Sequence, residues 1–237
     1  MAQYSATPDA AFTTTQASAE RIGAFLRSVY GWMCLGLAIT ALTAGIVASS
    51  PSVVIAIARN SVLFWGLAIA QLGIVLVLSG RVQTLAASTA AALFVVYSML
   101  TGVTLSFILF LYTGESIAST FVVTAGMFGA LAAFGTLTRR SLAGWGQFLF
   151  MGLIGVVLAS IVGLFWQNDG FQFVTAFIGV IVFTGLAAYD AQRLKAMALA
   201  TPDGQAGSYA IVGALALYLD FVNLFLFLLR LFGGRRR

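Results

Sequence analysis

Seven apolar runs, each long enough to cross a bilayer, leave this chain little choice of architecture. They extend from Arg27 to Ser49, Ser61 to Ser79, Leu85 to Leu111, Ile117 to Leu137, Trp145 to Trp166, Phe171 to Asp190 and Ser208 to Phe232. A helix needs about 20 apolar residues to span the hydrocarbon core, and in lipid the backbone must satisfy its own hydrogen bonds. With 61% hydrophobic and only 8% charged residues among 237, the chain is expected to be an all-α integral membrane protein with seven transmembrane helices. One membrane domain, 27–232, is expected between a polar, disordered tail, 1–26, and a basic tail, 233–237. The first twenty residues have no basic region ahead of a short apolar core and do not read as a cleaved signal peptide. All three prolines, Pro8, Pro51 and Pro202, fall outside the runs, so the helices are expected to be uninterrupted.

The charged residues give a direction to this bundle. With the amino terminus inside, the inner side holds Arg21, Arg27, Arg81, Arg139, Arg140, Arg193 and Lys195, whereas the outer connections hold Arg59 alone. Cytoplasmic loops carry the excess of Lys and Arg, so the amino terminus and the loop from Ala191 to Gly207 are expected in the cytoplasm. The final Arg235, Arg236 and Arg237 run against this rule. Either the last segment crosses fully and carries them outside, or it is re-entrant; a full crossing is expected because four earlier connections outweigh a short tail. The net charge of +5 therefore marks topology and anionic headgroups and does not point to nucleic acid. Cys34 is the sole cysteine, which excludes an intrachain disulfide.

Only seven residues are acidic, and two of them, Asp190 and Asp220, lie within or at the edge of the last two apolar runs. A carboxylate in a membrane is expensive and usually faces a bundle interior, a partner or a water-filled path. For Asp190, close after the small residues Ala176, Gly179 and Ala187, two readings stand: a helix-end group neutralised by Arg193 or Lys195, or part of a functional site. Asp220 lies about twelve residues into its run, with Asn223 one turn on, and reads either as a hydrogen-bonded structural group or as an ion or proton site. A turn-back through Pro202, Asp203 and Gly204 would bring the two aspartates together. Two like charges in contact cannot both be cheaply ionised, so such a pair shares a proton. Fully ionised, it offers hard oxygen ligands to Ca²⁺, with Asn223 or backbone carbonyls completing the set. No histidine is present, so neutral-pH behaviour must come from carboxylates.

The ending Leu217-Tyr218-Leu219-Asp220-Phe221-Val222-Asn223-Leu224-Phe225, running into Leu228-Leu229-Arg230-Leu231-Phe232-Gly233, resembles the last helix of the transmembrane Bax inhibitor motif family. Ala188-Tyr189-Asp190-Ala191-Gln192 resembles the end of its sixth helix, and Thr101-Gly102-Val103-Thr104-Leu105 part of its third. The likeness runs in order from Ile22 to Gly233. It implies six helices around a central last helix and, as in bacterial members, a pH-sensitive Ca²⁺ leak across the bacterial cytoplasmic membrane governed by an aspartate pair. Carried over by motif, the pH sensor is Asp190 and Asp220, with Arg81 as the basic partner of the closed form. Two departures matter: Gln71 stands where some relatives carry a carboxylate, and the arginine-rich tail differs from the acidic tails of others.

Ca²⁺ is thus expected as the transported or bound ion, with membrane lipids as surroundings and no organic cofactor. A second function from another class is an interaction protein that restrains a membrane-anchored ATP-dependent protease, as some bacterial relatives do, with the polar amino terminus as a handle. An enzyme is not expected. An intramembrane aspartyl protease would share a proton between two such carboxyls, but its second motif needs glycines where Leu217-Tyr218-Leu219 precede Asp220, and no proline follows Pro202. A retinal protein needs a buried lysine, and Lys195, the only lysine, falls in a loop.

Overall fold

The computed structural model describes residues 8–166, 168–202 and 204–236, with side chains from residue 16 onward. Eight helices follow one another: α1 (Pro8–Ala48), α2 (Pro51–Arg59), α3 (Ser61–Gly80), α4 (Ala87–Leu111), α5 (Gly114–Leu137), α6 (Ala143–Phe165), α7 (Asp169–Ala200) and α8 (Ala206–Phe232). All but α2 are long and apolar enough to span a bilayer, and the described residues contain no strand beyond a single bridge between Tyr112 and Arg235. The chain is an all-α integral membrane protein with seven such helices.

Local signals explain where the helices start. Pro51 opens the short α2, a position where a missing N–H costs nothing. Asn60 then ends α2 and begins α3, its side-chain oxygen accepting from the amides of Val62 and Leu63 at 3.0 and 3.2 Å. Asn168 does the same for α7, accepting from Phe171 N at 2.9 Å. Such caps satisfy amides that the first turn leaves without partners.

Two expectations need correction. The segment 8–26 is helical, not disordered, because α1 starts at Pro8; residues 1–7 lie outside the described residues. Ile22, Phe25, Leu26 and Val29 follow helical spacing, and Phe25 and Val29 are buried in the core, so the membrane domain begins before residue 27. The Arg21 guanidinium also donates to the Thr201 carbonyl, tying α1 to the α7–α8 turn. Secondly, α7 runs ten residues past Asp190. The stretch after Asp190 is rich in Ala, Leu, Met, Lys, Arg and Gln, all good helix formers, although its charges end the apolar run. Asp190 is therefore an interior residue of its helix, with Arg193 less than one turn on. Between the first two spans the connection itself forms the short helix α2.

Packing ranks the spans. In its most apolar window α8 is 67% buried, against 6% for α3 and 11% for α6. Helices α1, α3, α4, α5 and α7 pack directly on α8, whereas α6 packs chiefly on α7. Close approaches depend on glycine: a methyl group on Gly135 would collide with the Ala188 backbone, and one on Gly102 would meet Thr40 O at 2.7 Å. Small residues of this kind let membrane helices pack at short range.

The last segment crosses the bundle completely. Its 27 residues span about 40 Å at 1.5 Å per residue, more than the roughly 30 Å core. The tail then lies on the α4–α5 connection: Arg236 N donates to Leu111 O at 2.9 Å, Thr113 N to Gly234 O at 3.1 Å, and Gly234 N to Ser116 Oγ at 2.9 Å. The α7–α8 turn, where Gly204 takes a left-handed φ of 88°, sits at the opposite end.

Candidate functional site: a carboxyl pair at the base of a one-sided cavity

Antiparallel α7 and α8 carry one carboxyl group each to the same depth. Asp190 is half-buried and Asp220 is 5% exposed, and the two stand within hydrogen-bonding range of each other. Thirty residues of sequence are thereby closed into one contact. Asp220 Oδ2 is buried with no hydrogen-bond partner among the described residues. Buried polar atoms are nearly always satisfied, so an orphan oxygen asks for an explanation such as water, an ion or a proton. Two carboxyls at this range in an apolar interior hold a proton between them more cheaply than two charges.

Arg193, three residues beyond Asp190 on α7, is the cation whose field acts on Asp190. Arg81 does not join the group. It caps α3, is exposed, and forms no ion pair among the described residues. Asn223 lies one turn beyond Asp220, half-buried, with its amide nitrogen donating to Leu219 O of its own helix at 2.8 Å. No group of three or more His, Cys, Asp or Glu gathers among the described residues, so a cation at the pair would complete its shell with amide, backbone or water oxygens.

A cavity of about 330 Å³ reaches Asp190 from the end that carries the α3–α4 and α7–α8 connections. Its wall includes Ser79, Gln83, Asp190, Arg193 and Tyr209. Beyond Asp220, Phe221 packs edge-on against Phe121 and Phe128 at 5.5 and 5.6 Å between ring centres, followed by buried Leu224, Phe225, Leu228 and Leu229.

A second polar cluster holds the helices around this apolar packing. The Tyr218 hydroxyl, fully buried, lies 2.6 Å from Thr40 Oγ1, which donates to Ser98 O at 2.9 Å, linking α8, α1 and α4. Gln71 donates to Thr104 Oγ1 at 2.9 Å and accepts from Thr101 Oγ1 at 3.3 Å, so the amide joins α3 to the third-span motif. Sequence reasoning gave Tyr218 and Thr40 no role; the available signal was a hydroxyl inside an apolar run, which in lipid seeks a partner.

Seven apolar spans around a buried pair of ionisable groups define a polytopic helical membrane protein with an intramembrane carboxyl centre. The family profile described as inhibitor of apoptosis-promoting Bax1 matches residues 22–237, and the chain belongs to this Bax inhibitor-1-like family. It is 52% identical over 215 residues to inner membrane protein YbhL of Escherichia coli K12, covering 90% of this chain and 92% of that one. Proteins without an assigned function from Borreliella burgdorferi and Deinococcus radiodurans are 42% and 40% identical. The first match covers 90% of this chain and 92% of the relative, the second 94% and 95%.

Proposed function

We propose that this protein is a pH-sensitive Ca²⁺ leak of the bacterial cytoplasmic membrane, gated by protonation of Asp190 and Asp220. The observation that carries this reading is the carboxyl pair itself, with buried Asp220 beside an Asp190 that lines an entry cavity. Ca²⁺ would meet Asp190 first, then Asp220, with Asn223 further along α8 as an additional oxygen donor.

Protons and Ca²⁺ compete for the same oxygens. Lowering the pH fills the pair with protons and weakens its hold on Ca²⁺; raising the pH removes the shared proton, strengthens binding and pushes α7 and α8 apart by mutual repulsion. The Ca²⁺ concentration for half-maximal flux should therefore rise as pH falls. Arg193 lines the same cavity as Asp190, and Arg81 at the end of α3 is the basic partner of the closed form in this reading.

The deciding experiment is Ca²⁺ flux into proteoliposomes as a function of pH. Asp190→Asn and Asp220→Asn should each flatten the pH response, whereas Asp169→Asn, at the far end of α7, should leave it unchanged. If both pair variants keep the wild-type profile, the pair is structural. Absence of any flux, combined with co-purification of a membrane-anchored ATP-dependent protease, would favour the interaction-protein reading.

The amino terminus is assigned to the cytoplasm on the distribution of Lys and Arg. In a Cys34-free background, a cysteine replacing Gly204 should react from the cytoplasmic side; reaction from outside alone would invert the topology.

A further inference from the structure

A large apolar groove separates α1 from α5. It has a volume of about 590 Å³, and Met33, Cys34, Phe128, Gly129, Ala133 and Phe221 are among its walls. Along α5 it extends from Phe121 to Leu137, about 24 Å at the helical rise, so it is longer than one leaflet's share of a roughly 30 Å core. Its walls are apolar, and a space of this kind at membrane depth is filled by hydrocarbon, not water.

One end of the groove is different. Tyr30 and Thr136 form its polar rim, with the Thr136 hydroxyl donating to Ala132 O at 2.8 Å. Lys195 Nζ lies 3.4 Å from the Thr136 carbonyl, and Arg139 and Arg140, just past the end of α5, are both exposed. Gln192 holds this corner in place, donating to Arg140 O at 2.9 Å and accepting from Leu142 N at 2.7 Å. The α5–α6 connection is thus clamped to α7, with Lys195 at the groove mouth and Arg139 and Arg140 two and three residues past Leu137, the last groove residue of α5. No carboxylate pairs with any of them among the described residues. An apolar slot ending in clustered cations at headgroup depth complements an anionic lipid.

We propose that this groove binds one acyl chain of an anionic glycerophospholipid, whose phosphate is held at Arg139, Arg140 and Lys195. The site is separate from the carboxyl pair and does not rest on its function. Bound there, the chain would lie against Phe221, the residue after Asp220, and brace the aromatic packing on that face of α8.

The full-length protein in detergent can be tested with dioleoyl phosphatidylglycerol, dioleoyl phosphatidylcholine and glycerol 3-phosphate as probes. Native mass spectrometry should find the phosphatidylglycerol retained at least threefold more than the phosphatidylcholine. Cys34, an exposed groove residue, should be alkylated at least threefold more slowly with phosphatidylglycerol present, and glycerol 3-phosphate should give no protection. Combined Arg139→Gln, Arg140→Gln and Lys195→Gln, all at exposed positions, should abolish the preference without altering Tm. Gly129→Leu adds a side chain where a Cβ meets nothing within 4 Å; it should block retention with all charges intact. Equal retention of the two lipids, retention unaffected by Gly129→Leu, protection by glycerol 3-phosphate alone, or a co-purifying polypeptide that crosslinks to Cys34 in place of lipid would each overturn the proposal.

Discussion

The two halves of α8 belong to one apolar helix and live in unlike surroundings. The first half, up to Leu219, borders a cavity shared with Asp190 and Arg193. The second half, from Phe221 onward, is enclosed by aromatic and aliphatic side chains, and the tail after it is stitched to the α4–α5 connection. Asp220 stands at the border. The comparison teaches that an apolar sequence does not decide surroundings: one half borders a cavity with polar walls because α3, α7 and α8 leave a gap there, and the other meets apolar walls because Phe121 and Phe128 pack on it.

The largest effect should come from the border itself. If the pair governs access, Asp220→Asn abolishes the pH dependence of Ca²⁺ flux outright while the second half stays intact; a retained pH step would mean that the two halves differ in packing alone. Next comes Phe221→Ala, which removes a ring 4% exposed from between two others. By analogy with buried aromatic truncations it should lower unfolding free energy by about 3 kcal/mol. If the proposed leak is real, it should also raise Ca²⁺ flux at low pH, where protons occupy the pair. Unchanged flux in a folded variant would put the barrier elsewhere.

Smaller effects sharpen the boundary. Tyr218→Phe removes the hydroxyl 2.6 Å from Thr40 and should cost about 1 kcal/mol, measured by unfolding in mixed micelles, with the pH profile of flux unmoved; a shifted profile would make this cluster part of the sensor. Smallest of all should be truncation after Gly233. It removes three backbone-mediated hydrogen bonds at an exposed end and is expected to change stability by under about 1 kcal/mol, because frayed termini contribute little. A large increase in flux on truncation would show that the tail is part of the barrier.

Much of this was legible in the residues. Hydropathy located all seven spans because the bilayer imposes a length and a polarity on each. Asp220 was conspicuous because a carboxylate in the middle of an apolar run has few inexpensive explanations. Less legible were the extra turns of α7 and the start of α1. Hydropathy senses where lipid ends, whereas a helix continues wherever residues such as Ala191, Leu194, Met197 and Ala198 can pack, and all but Met197 among these are buried. The basic partner was a similar case. Arg81 follows from family likeness, but the side chain acting on Asp190 is Arg193, three residues on along the same helix.

The sequence by itself determined the class: membrane-spanning helices, their number, and two carboxyl groups placed where ionisation is costly. These follow from composition along the chain, since each is set by the local contest between water and hydrocarbon. Only the tertiary structure decided that Asp190 and Asp220 meet, that a cavity reaches Asp190, that the last helix crosses fully against the charge of its own tail, and that α1 and α5 leave a groove between them. Those facts depend on which helix faces touch, and that is set by side-chain shape and close approach, such as Gly135 against Ala188 and Gly102 against Thr40, among helices that are nearly equal in hydropathy.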